Sequence, residues 1–127
     1  MQSSHYERLG GAQGTRRLVD RFYDLMDALP AAAGIRQLHP ANLDGSREKL
    51  YLFLSGWLGG PALYVEKHGH PRLRARHLSF AIGEAERDAW MLCMSQALDE
   101  MELDTMLCEH LKQSLWNTAD HMRNTQP

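Results

Sequence analysis

Cysteine is scarce in this sequence, which argues against the structures that depend on it. Among 127 residues only Cys93 and Cys108 occur, and neither belongs to a CxxC pair. A cysteine zinc site or a disulfide framework needs more cysteines at regular spacing. Because both lie among apolar residues, we predict that they are small buried side chains in a reducing compartment.

A strong net charge and a long apolar run are also missing. The chain carries 14 Lys and Arg against 16 Asp and Glu, a formal net charge of −2, so it has no general attraction to nucleic acid or to an anionic membrane. No apolar run approaches the roughly 20 residues of a membrane helix. The polar segment from Met1 to Arg8 lacks the core of a signal peptide. We expect a soluble, cytoplasmic protein without a nucleic-acid or membrane partner.

Strand-like alternation is absent too, whereas four segments show helical periodicity. The composition, 43% hydrophobic and 24% charged, is typical of a folded protein, and the length predicts one domain over residues 1–127. The predicted helices run from an N-cap at Thr15 to Leu29, from about Ser46 to Leu58, from about Glu84 to Met101 and from about Asp104 to Arg123. The predicted fold class is therefore all-α.

Two stretches without clear periodicity separate these helices. Pro30 to Asp44 is predicted to be a loop, and Ala62 to Gly83 a loop with one or two helical turns. An irregular stretch of about 20 residues is uncommon inside a compact domain and is usually functional. Four helices around such a loop can enclose a bound group that completes the core.

The second stretch contains a basic run that leads into His77. Imidazole is a common ligand of iron and zinc, although an ordinary half-buried histidine fits the same pattern. His68 and His70 add a weaker zinc hypothesis, because no Cys, Asp or Glu completes a tetrahedral motif. The arginines of the run, from Arg72 to Arg76, form either a solvated face or a clamp for an anion such as phosphate or a haem propionate.

Two aromatic residues are candidates for hydrogen-bond donors in a pocket. Tyr23 follows Phe22 on the first predicted helix, and Trp90 lies on the helix after His77. A buried tyrosine hydroxyl or indole N–H usually needs a partner, but plain packing explains both residues as well. There is no serine nucleophile motif, phosphate loop or pair of carboxylates at helical spacing. Composition and periodicity alone therefore indicate a helical domain, with a bound ligand as one interpretation.

Several local motifs occur in a defined order along the chain. Phe22-Tyr23 is followed by Leu38-His39-Pro40, Phe53-Leu54, Trp57-Leu58-Gly59-Gly60-Pro61, His68-Gly69-His70-Pro71-Arg72-Leu73-Arg74-Ala75-Arg76-His77 and Glu86-Arg87-Asp88-Ala89-Trp90. Together, over roughly Tyr6 to Met122, they closely resemble the group II truncated haemoglobins. The Gly-Gly-Pro and His-Pro-Arg-Leu-Arg-x-Arg-His elements are specific to that group.

This resemblance implies a two-over-two helical sandwich around haem b. His77 corresponds to the proximal iron ligand, Tyr23 to the distal tyrosine and Trp90 to the tryptophan that closes the distal pocket. His39 stands at a haem-edge position usually filled by Phe or Tyr, a departure that adds a titratable group. Whether His39 donates to a bound ligand or coordinates the iron in its absence stays open.

The resemblance also implies roles for residues around the haem. Ser46 occupies the position where many globins carry a distal histidine, and Leu50 lines the same wall. Phe53 and Trp57 pack behind them. The residues that match positions tending to reach the haem propionates are Lys49, Tyr64 and Arg76.

The implied function is that of a haem globin that binds O2, CO, NO or peroxide. Tyr23, Trp90 and His39 supply up to three donors to the partial negative charge of bound oxygen, each contributing on the order of 1.5–3 kcal/mol. Two such bonds slow oxygen release by roughly 100-fold or more, which favours redox chemistry or sensing over delivery. NO dioxygenase-like and peroxidase-like activity both stay open. So do a reductase partner and the choice between monomer and homodimer.

Two other hypotheses compete with that of a haem globin. The main alternative is a non-haem helical binding module whose run from Arg72 to Arg76 engages an acidic partner or RNA. The other is a zinc protein that uses His68, His70 and His77. A binding module is colourless and its binding is sensitive to salt, whereas a zinc protein loses metal and structure to a chelator.

Overall fold

The computed structural model describes residues 3–125, and every regular element in that range is helical. The helices are α1 (His5–Leu9), α2 (Gly11–Ala28), α3 (Ala33–Gln37), α4 (Asp44–Trp57), α5 (Leu63–His68), α6 (Leu73–His77), α7 (Glu84–Asp99) and α8 (Thr105–His121), with a 3-10 turn (Pro30–Ala32) before α3. This confirms the predicted all-α fold class and its four long helices, α2, α4, α7 and α8. Within the same range, no helix combines the length and apolar character that crossing a membrane requires.

The start of α2 differs from the prediction. Thr15, the predicted N-cap, lies inside the helix, where its buried hydroxyl donates to the carbonyl of Gly11 at 2.8 Å. The helix begins at Gly11 because Gly10 and Gly11 adopt left-handed backbone, with φ of 108° and 66°. Glycine takes this conformation without strain, so the chain turns sharply from α1 into α2.

The two stretches predicted as loops contain four short helical elements, namely the 3-10 turn, α3, α5 and α6. Pro30 to Asp44 is not a loop throughout, because the 3-10 turn and α3 occupy its first half. Between Ala62 and Gly83, the expected helical turns are α5 and α6. Helices this short are marginal in isolation and depend on packing, so their periodicity is hard to recognise in the sequence.

The core forms where two pairs of helices cross. α2 packs against α4, α7 packs against α8, and α2 also crosses α7, so the two pairs form two layers. The central helix is α2, whose buried apolar side chains are Leu18, Val19, Phe22, Tyr23, Leu25 and Met26. Their spacing is the helical stripe that the sequence shows, which explains why this helix was predictable.

Both cysteines lie in this core, as predicted. Cys93 on α7 and Cys108 on α8 are buried, free thiols. Burial raises the pKa of each thiol above its ordinary value. The thiolate is the reactive form of cysteine, so both side chains are expected to be inert.

The Gly-Gly-Pro motif forms the turn that ends α4 and receives α1. A Cβ on Gly60 would come within 2.5 Å of the Tyr6 ring, so only glycine leaves room for that ring. The buried hydroxyl of Ser55 donates to the carbonyl of Pro61 at 2.7 Å and holds the turn against α4.

Replacing Gly14 with alanine is expected to destabilise the fold by about 2–3 kcal/mol. A Cβ at this position would lie 1.9 Å from the carbonyl oxygen of Leu9 and 2.7 Å from its carbonyl carbon. Backbone atoms cannot rotate aside as a side chain does, so α1 has to move away from α2 and expose the buried Leu9. Thermal unfolding followed by circular dichroism should show a melting temperature lower by on the order of 10 °C.

Gly34→Ala is the matched control for this change. A Cβ on Gly34 meets no atom within 4 Å, and alanine favours helix over glycine. The melting temperature of this variant should equal or slightly exceed that of the unsubstituted protein. Equal melting temperatures for Gly14→Ala and Gly34→Ala would contradict the close approach of α1 and α2.

Candidate functional site

His77 is the last residue of α6 and is half-buried. Its Nδ1 lies 2.6 Å from the carbonyl oxygen of Leu73, one helical turn earlier. Because a carbonyl only accepts, Nδ1 carries the proton and donates it, and Nε2 holds the free lone pair. Metal-ligating histidines usually have one ring nitrogen held in this way by a carbonyl or carboxylate. The side chain is therefore suited to bind iron through Nε2.

The basic run before His77 forms local contacts that shape α6. Arg72 precedes the helix with left-handed backbone, φ 47°, and its N–H donates to Nδ1 of His70 at 3.1 Å. Nε of Arg76 donates to the carbonyl of Pro71 at 2.7 Å. α6 itself contains only exposed and half-buried residues, so apolar burial contributes little to its position.

Tyr23 lies in the middle of α2 with 6% of its surface exposed. Burial raises its pKa to about 12, and the Arg47 guanidinium, 5.8 Å from the ring centre, opposes that rise. The hydroxyl therefore keeps its proton at neutral pH. It donates to no side chain or carbonyl among residues 3–125, which leaves the proton available for a ligand.

An aromatic group surrounds Tyr23. The ring of Phe22 lies 4.9 Å from that of Tyr23 and 5.0 Å from that of Trp90, measured between ring centres. The His39 ring lies 5.8 Å from Tyr23. The fold thus gathers the three predicted donors from α2, from the segment after α3 and from α7.

The hydrogen bond of His39 limits what this residue can do. Its Nδ1 lies 2.8 Å from the carbonyl oxygen of Ile35 and therefore carries the proton. Neutral His39 then has only a lone pair at Nε2, which accepts and cannot donate. Donation to a bound ligand requires the protonated form of His39, a condition that the sequence did not reveal.

Of the residues predicted near the haem propionates, Tyr64 and Arg76 lie close together. Tyr64 is buried, and its ring meets that of Phe53 edge-on at 6.5 Å. The guanidinium carbon of Arg76 lies 5.8 Å from the centre of the Tyr64 ring. Lys49 is exposed on α4. Neither Lys49 nor Arg76 takes part in the ion pairs formed within residues 3–125, so both cations are available to carboxylates.

The remaining predicted residues on α4 are all partly buried. Ser46 is half-buried. Leu50, Phe53 and Trp57 are partly buried and pack against the core. Their spacing places them along one side of α4, as the sequence predicts.

A cavity of about 740 Å³ lies beside this site, between α4, α6 and α8. Phe53 and Trp57 line it, together with residues 70–75 and the end of α8. Tyr23, His39, Trp90 and His77 do not line this cavity. The donors and the proposed iron ligand, rather than this cavity, define the candidate site.

The geometry does not support the zinc reading. Within residues 3–125, no group of three His, Cys, Asp or Glu side chains is placed to hold a metal ion. His68 packs against the ring of Tyr64, 4.9 Å between centres, and His70 accepts the N–H of Arg72. Both histidines have structural contacts instead of a shared ligand position.

Arg47 is a neighbour of the site that no motif indicated. Its guanidinium donates to the carboxylate of Asp24 at 2.8 Å and to the carbonyl of Asp20 at 2.9 Å. These bonds hold the cation near the Tyr23 ring. The only signal in the sequence is the i,i+4 spacing of Asp20 and Asp24, which places two carboxylates on one face of α2.

Comparison with known proteins agrees with this arrangement. The family "Bacterial-like globin" matches residues 4–124. The group 2 truncated hemoglobin YjbI of Bacillus subtilis is 41% identical over 119 residues, which are 94% of this chain and 87% of that protein. The group II 2-on-2 hemoglobin of the plant pathogen Agrobacterium tumefaciens is 49% identical with a TM-score of 0.95, over 98% of this chain and 97% of that chain. The cold-adapted truncated hemoglobin of Pseudoalteromonas haloplanktis TAC125 is 46% identical with a TM-score of 0.95, over 98% and 100% of the two chains.

The chain belongs to the bacterial-like globin family, as a group II truncated haemoglobin with the two-over-two helical fold. It is therefore a haem-binding globin, and globins bind small gas ligands such as O2. This finding replaces the alternative of a non-haem binding module. The residues present fit the group, because His77 offers a lone pair at Nε2, Tyr23 offers a buried donor, and Lys49 and Arg76 offer cations for carboxylates.

Proposed function

We propose that the protein holds haem b through Nε2 of His77 and binds O2, CO and NO reversibly. The observation that carries this proposal is the hydrogen bond from Nδ1 of His77 to the Leu73 carbonyl at 2.6 Å, because it orients the imidazole and leaves Nε2 as the ligand atom. His77 would hold the haem, which would supply an iron centre able to take up a diatomic ligand. Cys93 and Cys108 are buried and outside any CxxC pair, which favours a haem held without thioether bonds.

Tyr23 is proposed as the principal donor to the ligand. Its hydroxyl keeps the proton at Oη because its pKa is about 12, and the donor is thus present throughout the physiological pH range. The indole N–H of Trp90 is a donor only, held next to Phe22. His39 adds a third donor when it is protonated, because its Nδ1 proton is already engaged by the Ile35 carbonyl.

Two further sets of residues are proposed to hold the haem itself. Lys49, Arg76 and Tyr64 are assigned to the propionate edge, where cations and a hydroxyl group meet carboxylates. Ser46, Leu50 and Phe53 are assigned to the haem wall formed by α4.

Slow ligand release favours a reaction at this site over oxygen delivery. Donors such as Tyr23 and Trp90 increase the residence time of a bound ligand, which allows a second reactant such as NO to reach it. We therefore infer NO dioxygenase-like or peroxidase-like chemistry as the finer function, with an external reductase that supplies electrons. The cytoplasm is the corresponding location, and the working unit is a monomer or a homodimer.

Absorption spectra of the purified protein test the haem proposal. We expect a Soret band in the ferric protein that shifts after reduction with dithionite and shifts again with CO. Extraction into alkaline pyridine should give the spectrum of haem b. A protein that stays colourless after hemin is added would contradict haem binding, and a reduced spectrum that CO leaves unchanged would contradict ligand binding.

A further inference from the structure

The proposed iron ligand sits on a helix that is held largely by hydrogen bonds. α6 has only exposed and half-buried residues, and the segment after it, up to α7, exposes Leu78 and Phe80. The carbonyl of Arg123, in the segment that follows α8, accepts from Nη1 of Arg74 on α6 at 3.1 Å. The segment after α8 is therefore one of the places where α6 joins the body of the protein.

Asn124 makes the most extensive of these contacts. Its Nδ2 donates to the carbonyl of His77 at 3.2 Å and to that of Phe80 at 2.9 Å. Its Oδ1 accepts from the N–H of Ile82 at 2.9 Å, and its own N–H donates to the carbonyl of Ile82 at 2.8 Å. One side chain thus bridges the whole link from the end of α6 to the start of α7.

The end of α8, just before Asn124, is held in place by contacts with α7. Nη1 of Arg87, on α7, donates to Asp120 near the end of α8 at 2.7 Å. The Arg87 side chain is 13% exposed, and its guanidinium lies 4.9 Å from the centre of the Trp116 ring. Beyond α8, a Cβ on Gly83 would meet the hydroxyl of Thr125 at 2.7 Å, so the segment lies close against the start of α7.

We propose that Asn124 is a positioning residue for the iron ligand. His77 is held at two points, the ring nitrogen by the Leu73 carbonyl and the backbone carbonyl by Asn124. Fixing both points sets the direction of Nε2. Asn124 acts through the backbone of His77, since its contacts here are with backbone groups. The inference rests on the proposed role of His77 as the haem ligand.

Two substitutions of Asn124 separate the bonds donated by its Nδ2 from the bond accepted by its Oδ1. Asn124→Ala removes the three side-chain bonds, whereas Asn124→Asp keeps an acceptor for the Ile82 N–H and loses both donors. In both variants we expect the iron–His77 stretching band of the ferrous protein, measured by resonance Raman, to shift and broaden. Haem should dissociate roughly 10-fold faster. Hydrogen exchange at the Ile82 amide should accelerate in Asn124→Ala and stay slow in Asn124→Asp.

Asn117→Ala is the matched control, because the Asn117 side chain on α8 accepts from Gln113 at 3.1 Å in an exposed position. This variant should keep the wild-type band, dissociation rate and exchange. If Asn124→Ala matches Asn117→Ala in all three while haem is bound through His77, the positioning role is wrong and the proposed function stands. A protein without a Soret band overturns the proposed function and this role together, and the absorption spectrum alone identifies that case.

Discussion

Replacing His77 with glycine is expected to remove the iron–histidine bond and weaken haem binding by roughly 100-fold or more, about 3 kcal/mol. The reason is that the lone pair at Nε2, which the Leu73 carbonyl leaves free, is lost with the ring. Hemin titration should show the weaker affinity, and the iron–histidine stretching band should be absent. Glycine leaves room for a free imidazole, so adding imidazole to the variant should restore the band.

His110→Ala is the control that separates this effect from the loss of any histidine. His110 is exposed on α8, where its ring lies 5.0 Å from that of His5, so its removal should leave haem affinity and the ferrous carbonyl spectrum close to wild type. The assignment of His77 would be wrong if His77→Gly bound hemin with unchanged affinity and an unchanged carbonyl spectrum.

Tyr23→Phe is expected to release O2 roughly 10- to 100-fold faster than the unsubstituted protein. The substitution removes the hydroxyl of a largely buried residue, a group whose pKa is about 12 and whose proton is not engaged by residues 3–125, while the aromatic ring stays in contact with Phe22. The ratio of the two release rates, measured by stopped flow, should stay constant between about pH 6 and 9. The Tyr23 hydroxyl does not ionise in that range, so its contribution does not change with pH. Release of CO, a weaker hydrogen-bond acceptor, should change much less.

Tyr51→Phe is the control for this change, since Tyr51 packs under the Arg16 guanidinium, 3.9 Å from the ring centre. It should release O2 at the wild-type rate. His39→Phe should change O2 release less than Tyr23→Phe does, because the Ile35 carbonyl already holds the Nδ1 proton of His39. Equal O2 release in Tyr23→Phe and the unsubstituted protein would contradict the proposed donor.

The long helices were predictable because each buries one stripe of apolar residues. The bounds of α4, α7 and α8 agree with the prediction within two residues, and Asp104 caps α8 by accepting the N–H of Leu107 at 3.1 Å. The start of α2 was wrong because Thr15 has the chemistry of a cap, whereas the turn is made by the backbone of Gly10 and Gly11. α1, α3, α5 and α6 are too short to be stable alone, so only their packing or local contacts reveal them.

For the candidate site, the sequence proposes a set of residues but not a geometry. The order of motifs along the chain led to His77, Tyr23, Trp90 and His39. In the structure Tyr23 and Trp90 contact Phe22, and His39 lies beside Tyr23. That resemblance did not show that His39 uses its Nδ1 proton on the Ile35 carbonyl. Its role as a donor therefore depends on protonation, a condition set by a contact within the folded chain.

The sequence by itself determined the helical class, the buried cysteines and, through the order of its motifs, the family, because periodicity and motif order are properties of the chain. Only the tertiary structure decided which groups that are distant in the chain come into contact. Arg47 reaches Tyr23 and Asp24 from a different helix, and Asn124 bonds to the carbonyl of His77, 47 residues earlier. Such contacts have no local pattern, since each depends on where two distant segments are placed by the packing of α2, α4, α7 and α8.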